Sequence, residues 1–397
     1  MLIEIILFLF LGILSGVFTG LAPGIHINLI GAILVSLSIS LFSWINPIYL
    51  VVFIVAMAIT HIFVDFIPSI FLGAPEDGTE LSVLPGHEML KQGRGYEAIM
   101  LTNYGSVAAV FILMVVSMPL IIFVPKIYNL IVDFIPFILI AVSLFMILAE
   151  KKYFSALIVF VLSGILGLLI LNLENLNQPL LPLLSGLFGA SSLLISIKTK
   201  TKIPKQKITK SKINLLKPLT GSMISSLICG FLPGLGSGQA AIIGNLILRT
   251  DRRGFLVLLG ATNAFVMGLS FIALYTIQKT RTGAAASVEE IIGQMPKEII
   301  ALILIVILIS GILSFFITES LARFFSDKIG KINYTKLSVA TLVFLSIIVL
   351  AVSGFLGFFV FVVSTLTGIY CISMKVKRTL MMACLLVPTI LLYLNIF

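Results

Sequence analysis

"GLAPGIHINL", residues 20–29, places a Pro-Gly pair between two strongly apolar runs, with His26 and Asn28 directly behind it. Proline and glycine both disfavour the interior of a helix. Inside a membrane, non-helical backbone is tolerated only where it is buried in protein or lines a water-filled cavity. The stretch therefore predicts either a tight turn between two ordinary helices or a helix break at a functional site.

The composition predicts an integral membrane protein. Of the 397 residues, 59% are hydrophobic and 11% are charged, and the mean hydropathy is +1.21. This is far more apolar surface than a soluble core of this size buries. Apolar runs of roughly the 20 residues that a membrane helix needs recur along the chain, and they include 3–22, 153–173, 254–278, 336–353 and 354–374. We expect an all-α, polytopic protein that crosses the cell membrane many times and contacts its lipids.

A basic linker divides the chain. Residues 198–217, "KTKTKIPKQKITKSKINLLK", contain eight lysines and no acid. Such a segment is typical of a cytoplasmic linker held near anionic headgroups, although a merely solvated linker fits the same topology. We predict membrane repeats at 1–197 and 218–397. The net charge of +10 lies in short segments between apolar runs, so we expect no binding to nucleic acid.

The two halves contain matching motifs. "GVFTGLAPGIH" at 16–26 matches "SLICGFLPGLG" at 226–236, and "THIFV" at 60–64 matches "TNAFV" at 262–266. Placing the basic loops inside the cell gives the two halves opposite orientations. The pattern predicts two inverted-topology repeats, each with a Pro-Gly broken helical hairpin.

Each Pro-Gly break predicts part of an anion site. The helix that begins after the break has backbone N–H groups without internal partners, its dipole favours negative charge, and glycine allows close approach. A small organic anion is then bound without a buried arginine. Ser237 is equally explained as a helix cap. The candidate substrate-binding residues are Gly20, Pro23, Gly24, His26 and Asn28 in the first half, and Gly230, Pro233, Gly234, Gly236, Ser237, Gln239 and Asn263 in the second.

Two ionisable residues are candidates for ion coupling. His61 and Asp65 lie four residues apart in an otherwise apolar span, where ionisable groups are expensive unless they face water or each other. They predict coupling to H+ or Na+, or else a mutually satisfied pair that fixes helix packing. Near another membrane edge, Glu319 and Arg323 have the spacing of a simple ion pair.

The sequence does not favour an enzyme. It contains no nucleotide-binding Gly-x-x-x-x-Gly-Lys-Ser/Thr motif and no His-Glu-x-x-His zinc motif. Cys229, Cys371 and Cys384 stand without CxxC spacing, and we assign them to helix packing. We therefore predict no catalytic residues, no metal site and no cofactor beyond a coupling ion.

The motifs resemble those of the large membrane subunit of the tripartite tricarboxylate transporters, the TctA family, which carries a "G-x-x-x-G-x-x-P-G-x-G" stretch in each half. The segment 82–99, "SVLPGHEMLKQGRGYEAI", resembles the loop that follows the third helix in that family. Two departures are His26, where the family has glycine, and Pro85-Gly86, where it has Asp-Gly. The residues that match the stretch are Gly16, Gly20, Pro23 and Gly24 in the first copy, and Gly230, Pro233, Gly234 and Gly236 in the second.

The resemblance implies uptake of a di- or tricarboxylate together with a cation. It also implies a small membrane subunit and an extracytoplasmic binding protein as partners. Inverted repeats further predict secondary transport by alternating access. The alternative is a flippase or transporter of a polyprenyl phosphate or another lipid phosphate, because free amides at a hairpin tip serve a phosphate as well as a carboxylate.

Overall fold

The computed structural model is all-helical across the residues that it describes, which confirms the predicted fold class. No strand occurs in that part of the chain. The structure describes residues 2–22, 45–73, 79–198, 203–209, 214–230, 236–329 and 334–394.

The described helices follow the predicted apolar runs closely. In the first half they are α1 (Leu2–Leu21), α2 (Pro47–Val64), α3 (Phe66–Leu72), α4 (Val83–Lys91), α5 (Gly95–Ile131), α6 (Ile135–Leu148), α7 (Tyr153–Leu171), α8 (Leu180–Leu184) and α9 (Ser191–Lys198), with a π-helical segment, Ser185–Ala190, between the last two. After the linker they are α10 (Leu216–Gly230), α11 (Ser237–Ile247), α12 (Arg252–Ile277), α13 (Gly283–Ile292), α14 (Lys297–Ile329), α15 (Tyr334–Ser373) and α16 (Ala383–Tyr393).

Seven of the described helical segments are long and apolar enough to cross a membrane. Their lengths run from 19 to 39 residues, against the about 20 that a bilayer requires. The protein is therefore a multi-pass membrane protein. The seven segments are Leu2–Leu21, Pro47–Leu72, Gly95–Lys126, Tyr153–Leu171, Arg252–Ile277, Lys297–Ile329 and Thr335–Ser373.

Two of the polar segments between the long apolar helices contain short helices. The segment between α3 and α5 holds α4, and the segment between α12 and α14 holds α13. Thr282 caps α13 by accepting a hydrogen bond from the N–H of Ala285. The buried face of α13 packs on α2. Packing and capping thus form a helix where average hydropathy gives no sign of one.

The chain forms two compact units, and each takes segments from both halves of the sequence. Unit 1 consists of Met1–Ile67, Tyr96–Leu130 and Thr209–Phe324, and unit 2 consists of Pro68–Gly95, Ile131–Ile208 and Phe325–Phe397. These units are defined by contacts, whereas the predicted halves are defined by repeated motifs. The boundaries 1–197, 198–217 and 218–397 therefore stay a prediction.

Glycines allow the helices of unit 1 to approach closely. A Cβ atom at Gly16 would lie 2.6 Å from the carbonyl oxygen of Met57 and 2.6 Å from Cβ of Thr60, so α1 packs directly on the backbone of α2. A Cβ atom at Gly260 of α12 would meet the carbonyl oxygen of Thr102 in α5. Small residues at such contacts are the usual means by which membrane helices associate.

The two longest helices of unit 1 run antiparallel. Asn103 of α5 donates from Nδ2 to the carbonyl oxygen of Phe315 in α14 at 2.9 Å, whereas Tyr96, earlier in α5, contacts Glu319, later in α14. These two helices begin 30 residues or so after the matching THIFV and TNAFV motifs. Inverted repeats require this relation, and the repeat itself stays a prediction.

Unit 2 contains two close contacts between helices that come from different halves of the sequence. A Cβ atom at Gly167 of α7 would clash with the carbonyl oxygen of Cys384 in α16, and one at Gly368 of α15 would clash with that of Leu187 in the π-helical segment. In each case a glycine from one half of the chain packs on a backbone from the other half. The kink of α15 lies at Gly354, where φ is 66°.

Candidate functional site

The tips of both predicted hairpins lie outside the described residues. Their proposed part in anion binding therefore stays a prediction. These residues are Pro23, Gly24, His26 and Asn28 in the first half and Pro233 and Gly234 in the second. The flanking residues are described, and the candidate site is built from them.

A helix begins directly after the predicted tip of the second hairpin. Gly236 has an extended backbone and occupies the N-cap position of α11, so Ser237 is the first helical residue rather than the cap. The backbone N–H of Gly236 donates to Oε1 of Gln239 at 3.0 Å. This bond fixes the orientation of the Gln239 amide, because its oxygen is already engaged by a donor.

The amide nitrogen of Gln239 is left as a buried donor. The side chain is 1% exposed, and Nε2 makes no hydrogen bond within the part of the chain that the structure describes. Several other buried polar atoms of the described residues share this property, and those on the helices that pack on α11 include Nδ2 of Asn263 in α12 and Oγ of Ser226 in α10. A buried donor without a partner costs about 1 to 3 kcal/mol. Such groups are expected where a ligand completes the hydrogen bonding.

The packing of α10 on α11 gives the positions of Gln239 and Ser226 along the helix axes. α10 and α11 pack antiparallel through Gly221, Ser225 and Gly244, where a Cβ at Gly244 would lie 2.7 Å from Oγ of Ser225. At 1.5 Å per residue, Gln239 lies about 7 Å from that contact toward the hairpin tip, and Ser226 lies about 1.5 Å along the same direction. The two donors are therefore separated by about one helical turn in height.

Asn263 lies at the same level as Ser226. α12 begins beside the start of α10, because a Cβ at Gly254 would lie 3.4 Å from Cγ of Pro218. Counted from that contact, Ser226 is about 12 Å along α10 and Asn263 about 13 Å along the parallel α12. α10, α11 and α12 all pack on one another. We call Ser226, Gln239 and Asn263 the donor cluster.

The donor cluster is chemically suited to an oxyanion. Its free groups are amide N–H bonds and a hydroxyl, and the N-terminal end of α11 adds a dipole that favours negative charge. Gly230 is the last residue of α10, and its part in binding stays a prediction. Sequence reasoning identified Gln239 and Asn263 but missed Ser226. Ser226 aligns with Gly16 in the matched motif, so the repeat offered a signal that was overlooked.

In the first half, the position that aligns with Asn263 is occupied by His61. Its Nδ1 atom lies 2.9 Å from Oγ1 of Thr19, and Thr19 donates its own hydroxyl proton to the carbonyl oxygen of Gly16 at 3.2 Å. Thr19 therefore links the imidazole of His61 in α2 to the backbone of α1. Thr19 and His61 are each 2% exposed. Sequence reasoning missed Thr19.

Gly20 and Asp65 are the other described candidates in the first half. A Cβ atom at Gly20 would lie 2.9 Å from Cβ of Val64 and 3.0 Å from the carbonyl oxygen of His61, which gives Gly20 a packing role in the α1 and α2 contact. Asp65 is 2% exposed and caps the end of α2, where its backbone N–H donates to the carbonyl oxygen of His61 at 2.9 Å. Their parts in binding and coupling stay predictions.

Charged side chains join the helices of unit 1 at one end. The predicted ion pair between Arg323 and Glu319 is confirmed at 2.6 Å, and Tyr96 donates its hydroxyl to the same Glu319 oxygen at 3.2 Å. Glu97 of α5 pairs with Arg253 of α12 at 2.8 Å. The start of α5 is thus tied to α12 and to α14.

These features define a helical, polytopic membrane protein with a buried polar site of the kind that membrane transporters use. The chain belongs to the tripartite tricarboxylate transporter TctA family, whose model matches residues 6–383. TctA is a transporter family, so the resemblance carried by the glycine and proline motifs is confirmed.

A relative from an archaeon matches almost the whole chain. It is an uncharacterized protein of Methanocaldococcus jannaschii, 32% identical over 401 residues, and the match covers 98% of this chain and 99% of the relative. No solved structure matches this chain.

Proposed function

We propose that this protein is a secondary transporter of an organic anion, a di- or tricarboxylate, that works by alternating access with cation coupling. The observation that carries the proposal is the donor cluster: within the described residues, Nε2 of Gln239 near the start of α11 and Nδ2 of Asn263 in α12 are buried and make no hydrogen bond. A carboxylate supplies the acceptors that these groups lack. Membership of the TctA family supports the same substrate class.

The remaining parts of the proposal follow from the family and from the ionisable residues. His61 and Asp65 are the coupling candidates, with H+ or Na+ as the ion. A small membrane subunit and an extracytoplasmic binding protein are the proposed partners, in keeping with the word "tripartite" in the family description. The basic linker at 198–217 is proposed to lie in the cytoplasm, near anionic lipids.

Uptake into proteoliposomes tests the proposal. The purified protein is supplied with radiolabelled citrate, succinate, malate and acetate under an imposed Na+ gradient, an imposed pH gradient or neither. We expect accumulation of at least one di- or tricarboxylate, driven by one of the two gradients. Thermal stabilisation by a polyprenyl phosphate, with none by any carboxylate, would replace the proposal with lipid phosphate transport.

Amide-to-acid substitutions test the donor cluster itself. Gln239→Glu keeps an oxygen for the N–H of Gly236 but replaces the free donor with a charge that repels a carboxylate. Asn263→Asp makes the same change in α12. We expect each variant to raise the KM of uptake by about 10-fold or more, because a hydrogen bond to a charged group contributes about 1.5 to 3 kcal/mol.

Asn245→Asp is the matched control. Oδ1 of Asn245 accepts hydrogen bonds from the backbone N–H and hydroxyl of Thr250, and a carboxylate preserves both. This variant should retain the parental KM. Parental KM values in both Gln239→Glu and Asn263→Asp would contradict a carboxylate site at the donor cluster.

A further inference from the structure

Two turns of unit 2 carry exposed lysines and lie side by side. The turn between α6 and α7 contains Lys151 and Lys152, and the turn after α15 contains Lys375 and Lys377. All four residues are exposed. Nζ of Lys377 lies 2.9 Å from Oε1 of Glu150, which joins a turn from the first half of the chain to one from the second. We call the four lysines the basic surface.

The turn after α15 places a lysine where the backbone disfavours one. Lys375 has a φ of 58°, in the left-handed region that glycine adopts without strain and a lysine rarely adopts. The turn is fixed by Arg378, whose Nη1 atom donates to Oγ of Ser192 in α9 at 2.7 Å. Among the residues that the structure describes, no acid pairs with Lys375. A lysine is thus present at a position where glycine would be less strained.

The lysines before α7 are not explained by helix stability either. Lys152 occupies the N-cap position of α7, and its side chain makes no capping hydrogen bond. Short polar residues cap best there, and positive charge at the N-terminal end of a helix is unfavourable. The bias of cytoplasmic loops toward lysine does not require lysines at these particular backbone positions. Both turns would therefore be stabilised by a further negatively charged group.

An apolar surface continues from the basic surface along α7. Tyr153 and Phe154, the first two residues of the helix, are 64% and 66% exposed. Leu157, Val161 and Ile165 are also exposed large hydrophobic side chains on this membrane-spanning helix. Tyrosine next to lysine is typical of the boundary between headgroups and acyl chains. In a bilayer the lysines therefore lie at the level of the headgroups.

We propose that the basic surface binds the phosphate of one anionic phospholipid, whose acyl chains lie along the exposed side of α7. A phospholipid fits better than a soluble anion because it supplies both the negative charge and the apolar contact. The lipid belongs to the leaflet next to these turns, which the basic loops predict to be the cytoplasmic one. The basic surface belongs to unit 2, whereas the donor cluster belongs to unit 1, and the inference does not depend on the proposed function.

Lipid binding to the purified full-length protein is the first test. Phosphatidylglycerol, or phosphatidylcholine with the same acyl chains, is added to the protein in a neutral detergent, and bound lipids are counted by native mass spectrometry. We expect the tightest site to prefer phosphatidylglycerol by about tenfold or more. Lys151→Gln, Lys152→Gln and Lys375→Gln should each weaken this binding about fivefold, because one lysine contributes roughly that factor near anionic lipids.

Lys205→Gln and Lys207→Gln are the matched controls, because both lysines are exposed in the basic linker and the same charge is removed. They should leave the affinity of the tightest site unchanged. Equal losses from the linker and from the basic surface would show an attraction to lysines in general and would overturn the inference.

Lys375→Gly separates the charge from the fold. Glycine relieves the left-handed backbone, so the thermal unfolding midpoint of the lipid-free variant should not fall below that of the parent. Its affinity for phosphatidylglycerol should nevertheless fall about fivefold, whereas Lys375→Arg should keep the parental affinity. A parental affinity in Lys375→Gly, or thermal stabilisation by inorganic phosphate as large as that by phosphatidylglycerol, would reject the lipid site.

Discussion

Lys207 donates its backbone N–H to the carbonyl oxygen of Gly93 at 2.7 Å. The basic linker and the turn between α4 and α5 therefore lie on the same side of the membrane. Next to this bond, Gln206 is 6% exposed, and its Oε1 atom accepts from the N–H of Gly95 at 2.7 Å. This part of the linker is docked on the protein rather than merely solvated, because its amide caps the start of α5.

Cysteine labelling tests the side of each loop. In a background without the three native cysteines, Gln92→Cys and Lys205→Cys should be labelled from the same side, because both residues are exposed and flank the Lys207 contact. The charge of the loops predicts that this side is the cytoplasm. Asn175→Cys and Gln294→Cys, also at exposed positions, should react with an impermeant maleimide in intact cells.

The labelling result separates two claims. Opposite sides for Gln92→Cys and Lys205→Cys would contradict the docked linker. The same side for Lys205→Cys and Asn175→Cys would contradict only the topology that was predicted from basic loops.

Loss of the Gln206 amide should release the linker. Gln206→Ala leaves the N–H of Gly95 without its acceptor and the carbonyl oxygen of Leu90 without the bond from Nε2 at 3.1 Å. A loss of about 1 kcal/mol makes local opening about fivefold more frequent. We expect trypsin to cleave the linker at least about fivefold faster in inside-out vesicles. Thr209→Ala, at an exposed position, is the control and should be cleaved at the parental rate.

Much of the fold was predictable from apolar periodicity, because lipid requires long apolar helices with internally bonded backbones. The starts and ends of α1, α7 and α12 fall within two residues or so of the predicted segments. α4 and α13 were not predicted, because their sequences are short and mixed in polarity. The kink of α15 at Gly354 was predicted only as a boundary between two segments.

The candidate site was predictable where the residues stand in a repeated motif. Gln239, Asn263 and His61 were identified because polar side chains next to a break in an apolar run are conspicuous. Thr19 and Ser226 were missed because helical serine and threonine usually bond to their own backbone, as Thr262 does to the carbonyl oxygen of Leu258. Their significance depends on neighbours across the helix pair, which sequence spacing alone does not specify.

The direction in which Gly16→Ala changes the thermal stability tests the contact between α1 and α2. Alanine is a better helix former than glycine by about 1 kcal/mol, so Gly16→Ala stabilises an isolated helix. Here the added Cβ would lie 2.6 Å from a backbone oxygen of Met57, and overpacking costs about 1 to 3 kcal/mol. We expect a lower thermal unfolding midpoint in detergent. Leu14→Ala, on the exposed face of α1, should change it little, and a higher midpoint for Gly16→Ala would refute the contact.

The stability of unit 2 should depend on pH through His87 of α4. The residue as a whole is half-buried, but its ring atom Nδ1 is closed to solvent. Burial is the largest cause that lowers the pKa of His87 to about 4, and the positive charges of Lys91 and Arg378 lower it further, against a backbone hydrogen bond with Ile70 that raises it. In the unfolded chain the pKa of a histidine is about 6.5.

The depressed pKa sets the direction of the effect. Between about pH 6.5 and pH 4 the unfolded state binds a proton that the folded state does not, so the free energy of unfolding falls as the pH is lowered through this window. The full contribution of about 3 kcal/mol is present above pH 6.5 and is lost near pH 4. His87→Gln keeps an N–H donor but does not titrate. We expect the thermal unfolding midpoint of the parent in detergent to fall more steeply than that of His87→Gln between pH 6.5 and 4, whereas the two curves run parallel between pH 7 and 8. Equal slopes in the acidic window would show that His87 is not held neutral in the folded protein.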